Sequence, residues 1–155
     1  RHEIESALRN RDAVTGAYGR VEILPALREA GELVRRNVQQ ACIAFMDLDR
    51  FKDINDAHGH RVGDQVLAGA VNHVTGHLRT YDKVFRYGGD EFLILLPAAH
   101  IEVASRLIER LRAENPRGGL VVQADARSSA KAVAAVLDAA RAAGIEDVSL
   151  STRRH

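Results

Sequence analysis

Val84-Phe85-Arg86-Tyr87-Gly88-Gly89-Asp90-Glu91-Phe92-Leu93-Ile94-Leu95-Leu96-Pro97 is the stretch on which the fold turns. Two strand-like runs, Val84 to Tyr87 and Glu91 to Leu96, flank the turn residues Gly88-Gly89-Asp90, which is the pattern of a β-hairpin. Pro97 has no N–H to donate and ends the second run. Upstream, Ala41 to Met46 is a short continuous apolar run, as expected of a strand buried on both faces. Between these runs, Val62 to Leu78 sets Val66, Leu67, Ala70, Val71, Val74 and Leu78 on one helical stripe.

Outward from this centre the elements alternate. Leu27, Ala30, Leu33 and Val34 predict a helix, with Pro25 marking its true start or a kink. Asp12 to Arg20, rich in glycine and small residues, reads as an irregular turn. Ile101 to Ala113 predicts a helix with Ile101, Ala104, Leu107, Ile108 and Leu111 inward. Pro116 to Gly119 breaks the chain. A strand at Leu120 to Ala124, an alanine-rich helix at Ser128 to Ala143 capped by Gly144, and a last strand at Val148 to Ser151 follow. Alternation plus one hairpin predicts an α/β (α+β) fold, a mixed central sheet covered by helices. Residues 12–155 form one domain in this reading, and residues 1–11, with Ile4, Ala7 and Leu8 at helical spacing, form the tail of a linker helix from an upstream domain.

The composition narrows the function classes. At 155 residues the chain suits one domain, and 22 basic against 21 acidic residues leave a net charge of +1. That balance gives no argument for nucleic-acid or membrane binding. No apolar stretch approaches the ~20 residues that span a bilayer, and no signal peptide is visible, so the cytoplasm is the expected compartment. Arg1 rather than Met at the start points to a piece of a longer chain. The single cysteine, Cys42, sits in an apolar run and reads as a buried, inert thiol.

Two acidic clusters carry the chemistry: Asp47-Leu48-Asp49 after the first strand, and Asp90-Glu91 at the hairpin tip. Taken alone, Asp47 and Asp49 read as solvated loop acids. Steric demands of a hairpin explain Gly88, Gly89 and Asp90 but not a second adjacent acid, whose repulsion a divalent cation would relieve. The two glycines permit positive φ and close approach of a ligand. If the two strands are neighbours, Asp47 and Asp90 or Glu91 converge on one point. Oxygen ligands of that kind suit Mg²⁺ bound with substrate phosphates, hence phosphoryl or nucleotidyl transfer.

At these residues the chain resembles the GGDEF family of diguanylate cyclases. Gly88-Gly89-Asp90-Glu91-Phe92 spells the signature. It is supported by Asp47-x-Asp49-x-Phe51-Lys52-x-Ile54-Asn55-Asp56, Gly59-His60 and Gly63-Asp64-x-Val66-Leu67, and by Asp12-x-x-Thr15-Gly16 nearer the start. The resemblance implies a fold like that of nucleotide cyclases and polymerase palms. It implies condensation of two GTP into cyclic di-GMP with release of pyrophosphate, by a homodimer under an upstream sensory domain. Asp47, the Leu48 carbonyl, Asp90 and Glu91 would hold Mg²⁺, for which Mn²⁺ can substitute, and Asp90 and Glu91 would be catalytic. Gly88 and Gly89 would admit the nucleotide. Asn55 and Asp64 would read guanine, with capping as the alternative for Asp64. Phe51 and Lys52 complete the substrate side, Lys52 at phosphate or simply solvated, while His58 and His60 read as structural residues of one loop. Arg79-x-x-Asp82 with Arg110 matches the family's inhibitory product site, the alternative being an i, i+3 surface ion pair.

The last third departs from the family. Asp138 stands near the place of a tyrosine, Ala140-Arg141 replaces Ala-Lys, and Gly144-Ile145-Glu146-Asp147 replaces a Gly-Arg-Asn-Arg segment. Arg141 can take over one phosphate contact, but Ile145 cannot supply the other. A lost charge-assisted bond of about 1.5–3 kcal/mol would weaken GTP binding by roughly ten- to a hundredfold. The resemblance thus implies a weakened cyclase, with a non-catalytic receptor for cyclic di-GMP or GTP as the alternative.

Overall fold

The apolar run after residue 40 becomes β1 (Ala41–Asp47), and the hairpin forms as β2 (Lys83–Gly88) and β3 (Glu91–Pro97). Among the described residues four α-helices accompany them: α1 (Ile23–Arg35), α2 (Phe51–His58), α3 (His60–His77) and α4 (Ile101–Ala113). The computed structural model describes residues 10–36, 41–48 and 50–113. The expected elements at Leu120–Ala124, Ser128–Ala143 and Val148–Ser151, the helical reading of Ile4, Ala7 and Leu8, and Asp49 and Arg141 lie outside those residues.

β3 lies between its neighbours in the order β1-β3-β2, and both pairings are antiparallel. Strand periodicity sorts the side chains onto two faces. Cys42, Ala44 and Met46 join Phe92, Ile94 and Leu96 in one core, covered by Leu67, Val71 and Val74 of α3 and Leu107 and Leu111 of α4. Ala41, Ile43, Leu93 and Leu95 join the second core, covered by Ile23, Leu27 and Ala30 of α1. A sheet covered by helices is thus the observed class. Its parallel component, among the described residues, is the bridge from Tyr18 to Phe85. Cys42 is buried, with Sγ donating to the Ala99 carbonyl at 3.2 Å.

Three expectations need correction. Pro25 stands two residues inside the start of α1 and does not itself mark it: a 3₁₀ turn over Arg20–Glu22 leads into a helix that begins at Ile23. Pro25 falls in the first turn, where its missing N–H has no intrahelical acceptor to lose. His58 and His60 do not share a loop, since His58 ends α2 and His60 opens α3. Gly59, at φ 88, is the whole connection between them. The long helix accordingly begins two residues before Val62, and α2 was not anticipated at all. It buries no residue completely, and its eight residues offer only one i, i+3 pair of large apolar residues, Phe51 and Ile54.

Candidate active site

The β1–β3 register sets Asp47 opposite Glu91. Asp47 closes its strand and Glu91 opens the other, so the two acids meet at one end of the sheet. Directly opposed side chains of an antiparallel pair lie about 4.5–5.5 Å apart at Cβ. Asp90 adds a third carboxylate in the turn, where Gly88 pairs with Glu91. Burial pushes the Glu91 carboxyl above its ordinary range, and the charge of Asp90 pushes it further. A carboxylate held that way gains from a nearby cation. Leu48, 3% exposed, is anchored in the core and fixes the backbone beside Asp47.

Among the described residues no three His, Cys, Asp or Glu side chains are grouped closely enough to hold an ion by themselves. Two carboxylates and a backbone carbonyl nevertheless fit Mg²⁺, which keeps several waters and takes further ligands from substrate phosphates.

Gly88 and Gly89 do not serve the purpose expected of them in the backbone. Among the described residues the positive-φ glycines are Gly16 and Gly59, not these. A Cβ on Gly89 would meet nothing within 4 Å, and one on Gly88 would reach only Glu91 Oε2 at 3.9 Å. The fold would therefore accept a side chain at either position. What the bare turn leaves open is the space beside the carboxylates, where a ligand can approach the main chain.

Arg86 holds that turn in place. Its Nε and Nη2 donate to the Gly89 carbonyl at 3.0 and 2.7 Å, and its Nη1 donates to both oxygens of Asp12 at 3.2 and 3.0 Å. Asp12 in turn accepts from the Thr15 amide at 2.9 Å and the Thr15 hydroxyl at 2.7 Å. The N-terminal turn is thereby tied to the hairpin tip by one guanidinium. Desolvation works to raise the Asp12 carboxyl, but the bonds from Thr15 and Arg86 outweigh it and its pKa is lowered from 3.8. A depressed carboxyl contributes stability that is present above the unfolded pKa and lost as pH falls through the folded one. Arg86→Gln is expected to cost about 1–3 kcal/mol in urea denaturation at pH 7. That cost should shrink as pH falls below about 4 and through the depressed pKa of folded Asp12, where the carboxyl takes up its proton in the wild-type chain as well.

The expected guanine readers sit on two adjoining helices. Asn55 lies on α2, and its Oδ1 is buried with no hydrogen-bond partner. It packs against Gly63 of α3, where a Cβ would overlap Oδ1 and lie 2.9 Å from Cγ. Asp64 follows Gly63 and is exposed. It does not cap α3, because that helix already begins at His60 behind Gly59. Phe51 packs partly on the main core and Lys52 is exposed on α2.

The family model for the GGDEF domain of diguanylate cyclases matches residues 9–134, taking in the opposed acids, the bare turn, the Arg86 link and the Asn55–Gly63 contact. The chain belongs to the GGDEF family. It is 38% identical over 102 residues to the diguanylate cyclase DgcP of Pseudomonas aeruginosa, a match covering 66% of this chain and 15% of that protein. It is 39% identical over 99 residues to DgcZ of Escherichia coli, covering 63% and 32%. The chain thus spans under a third of the length of these relatives. Among solved structures, diguanylate cyclase SiaD in complex with its activator SiaC, from Pseudomonas aeruginosa, matches with a TM-score of 0.69 at 30% identity over 97% of this chain and 66% of that one. The coiled coil and GGDEF domain of DgcB from Caulobacter crescentus, in complex with c-di-GMP, matches in fold with a TM-score of 0.73 at 22% identity over 97% and 90%.

In this GGDEF domain the Arg79–Asp82 pair is closed upon itself. Arg79 Nη2 meets Asp82 Oδ1 at 2.8 Å, and the Arg79 amide donates to Asp82 Oδ2 at 2.8 Å. Nη2 also donates to the Pro97 carbonyl at 2.7 Å. The Asp82 side chain is 3% exposed. Arg110 is exposed on α4, with no hydrogen bond or ion pair to either residue. The Arg86 link to Asp12 was not read from the sequence as part of the site. The one available signal was Asp12-x-x-Thr15, the spacing of a side chain bonding a backbone N–H three residues on.

Proposed function

We propose that this GGDEF domain is a diguanylate cyclase that condenses two GTP into cyclic di-GMP and two pyrophosphates. The observation that carries the proposal is the register of Asp47 against Glu91 beside a turn left bare at Gly88 and Gly89. Asp47, the Leu48 carbonyl and Glu91 would hold Mg²⁺ or Mn²⁺. Such an ion, when bound, supplies charge neutralisation at the triphosphate and at the attacking oxygen. Asp90, in the turn, is assigned the uptake of the 3′-hydroxyl proton. Lys52 and Arg141 are assigned to the phosphates. The unpartnered Asn55 Oδ1 and the exposed Asp64 are assigned to the guanine edge, a carboxylate accepting from N1–H and N2–H₂, which adenine lacks. Each site binds one GTP, so the reaction requires two copies face to face, under control of an upstream domain.

Cyclic di-GMP would inhibit by binding Arg79 and Asp82 with Arg110. Because the pair is closed, that binding requires the guanidinium to leave the Pro97 carbonyl and Asp82 to open. The chain incubated with GTP and Mg²⁺, with products identified by mass, tests the reading. Cyclic di-GMP should form from GTP, not from ATP, and not after chelation of the metal or in Asp90→Ala. Absence of product at high protein concentration, even in a fusion that forces dimerisation, would refute it.

A further inference from the structure

The face of the sheet that carries the acids also carries a cation. Strand alternation puts Asp47 and Glu91 on the same face as Phe45 and Leu93, the face of the second core. Tyr87 packs on that core too, as the extra residue where the β2–β3 register shifts between Arg86 and Gly88. Bulges of this kind re-aim a side chain beside a site. The Tyr87 ring takes the guanidinium of Arg20, 4.6 Å from its centre, and so holds a cation of the 3₁₀ turn over the residue that precedes the bare glycines. Arg20 is exposed, and among the described residues it forms no ion pair.

The place of Arg20 in the sheet decides what it can serve. Lys52, Asn55 and Asp64, assigned to the nucleotide, belong to α2 and α3, which continue from the acid-bearing end of β1. Arg20 stands over β2, on the other flank of β3. Two strand spacings of about 4.8 Å separate those flanks. A nucleotide held by α2 and α3 therefore reaches the acids from the β1 side and leaves the β2 side to the second nucleotide. The surroundings of Arg20 suit a protein neighbour. Val21 is 76% exposed and Leu24 41% exposed, and at i, i+3 they share one side of the chain where the 3₁₀ turn runs into α1. Apolar groups beside an arginine and a tyrosine are the composition of an interface centre.

We propose that Arg20 is a substrate-positioning residue that acts across the dimer: with Val21 and Leu24 seated on the second copy, its guanidinium grips the triphosphate of the nucleotide which that copy holds. The guanidinium fork matches phosphate geometry. The inference rests on the two-copy cyclase reading given above. The test loads the whole chain with Mg²⁺ and a GTP analogue whose α,β bridge is methylene, which cannot release pyrophosphate. Analogue affinity is measured by calorimetry at protein concentrations too low for assembly, dimerisation by sedimentation, and cyclic di-GMP formation from GTP separately. Loaded wild type should dimerise. Arg20→Gln should bind the analogue as wild type does, yet dimerise about tenfold more weakly, the loss of one charge-assisted bond, and form product more slowly by a similar factor. Arg20→Lys should recover part of both losses, and Val21→Ser, at an exposed position, should weaken dimerisation without changing analogue affinity. An analogue affinity that falls in Arg20→Gln would put Arg20 on its own nucleotide and overturn the proposal. Loaded wild type that stays monomeric, or Arg20→Gln that dimerises as wild type does, would also overturn it. Loaded dimers that depend on Arg20 but yield no product would sink the cyclase reading alone. Product formed equally by wild type and Arg20→Gln would sink this inference alone.

Discussion

Glu91→Gln is expected to lower cyclic di-GMP formation by at least about a thousandfold, the rate equivalent of roughly 4 kcal/mol of lost transition-state charge stabilisation. The same change should leave the chain as stable as before, or more stable, at pH 7. The two effects have one cause. Glu91 is partly buried beside Asp90, and its carboxyl is pushed above the ordinary value of 4.5. An acid whose folded pKa is raised contributes stability that is full below the unfolded pKa and is lost as pH rises through the folded one. At neutral pH the wild-type chain therefore carries an ionised group that its fold disfavours and that a bound cation needs. Glutamine keeps the shape and removes the charge. Denaturation at pH 7 without divalent metal should show Glu91→Gln no less stable than wild type, and the difference should vanish below about pH 4.5. A variant that loses activity by unfolding would instead show a lower midpoint, which would reject the assignment of Glu91 to the metal.

The convergence of Asp47 and Glu91 was legible because both acids border apolar runs. Ala41 to Met46 and Glu91 to Leu96 read as strands, but that they are neighbours stood as a condition in the sequence and is supplied by the observed register. Side-chain alternation then sorted the core with no further information. Two things escaped for physical reasons. α2 has no fully buried residue, and its first turn follows Arg50 at φ 54 with no side-chain cap. Its place is set by tertiary contacts, Phe51 on the core and Asn55 on Gly63, which no local pattern announces. Arg86 reaches Asp12 across 74 positions of chain. A polar contact at that separation leaves no periodic trace, whereas apolar contacts at similar separation do, because they require whole faces. The glycines of the turn were read both as positive-φ positions and as room for a ligand, and only the first of these fails, since neither adopts positive φ. Their lack of side chains becomes intelligible only with a ligand in view.

Gly63→Ala separates packing from recognition. In an exposed helix interior the change from Gly to Ala gains about 0.8–1.0 kcal/mol. Here the added Cβ would overlap Asn55 Oδ1 and stand 3.2 Å from Phe51 Cζ. The amide end of Asn55 can rotate away at small cost, since its Oδ1 gives up no hydrogen bond in doing so. The helix gain and the crowding should nearly cancel, leaving a thermal midpoint close to wild type. Binding should not cancel. Once displaced, Asn55 no longer presents its amide to the guanine edge, and KM for GTP should rise by about tenfold. The Asn55→Ala background closes the argument. With the amide gone, alanine at 63 has room, so Gly63→Ala should stabilise that protein by about 1 kcal/mol and leave its KM unmoved. An additive cycle, with KM rising again on the second change, would mean that Gly63 acts through something other than Asn55, and the guanine assignment would lose its structural support.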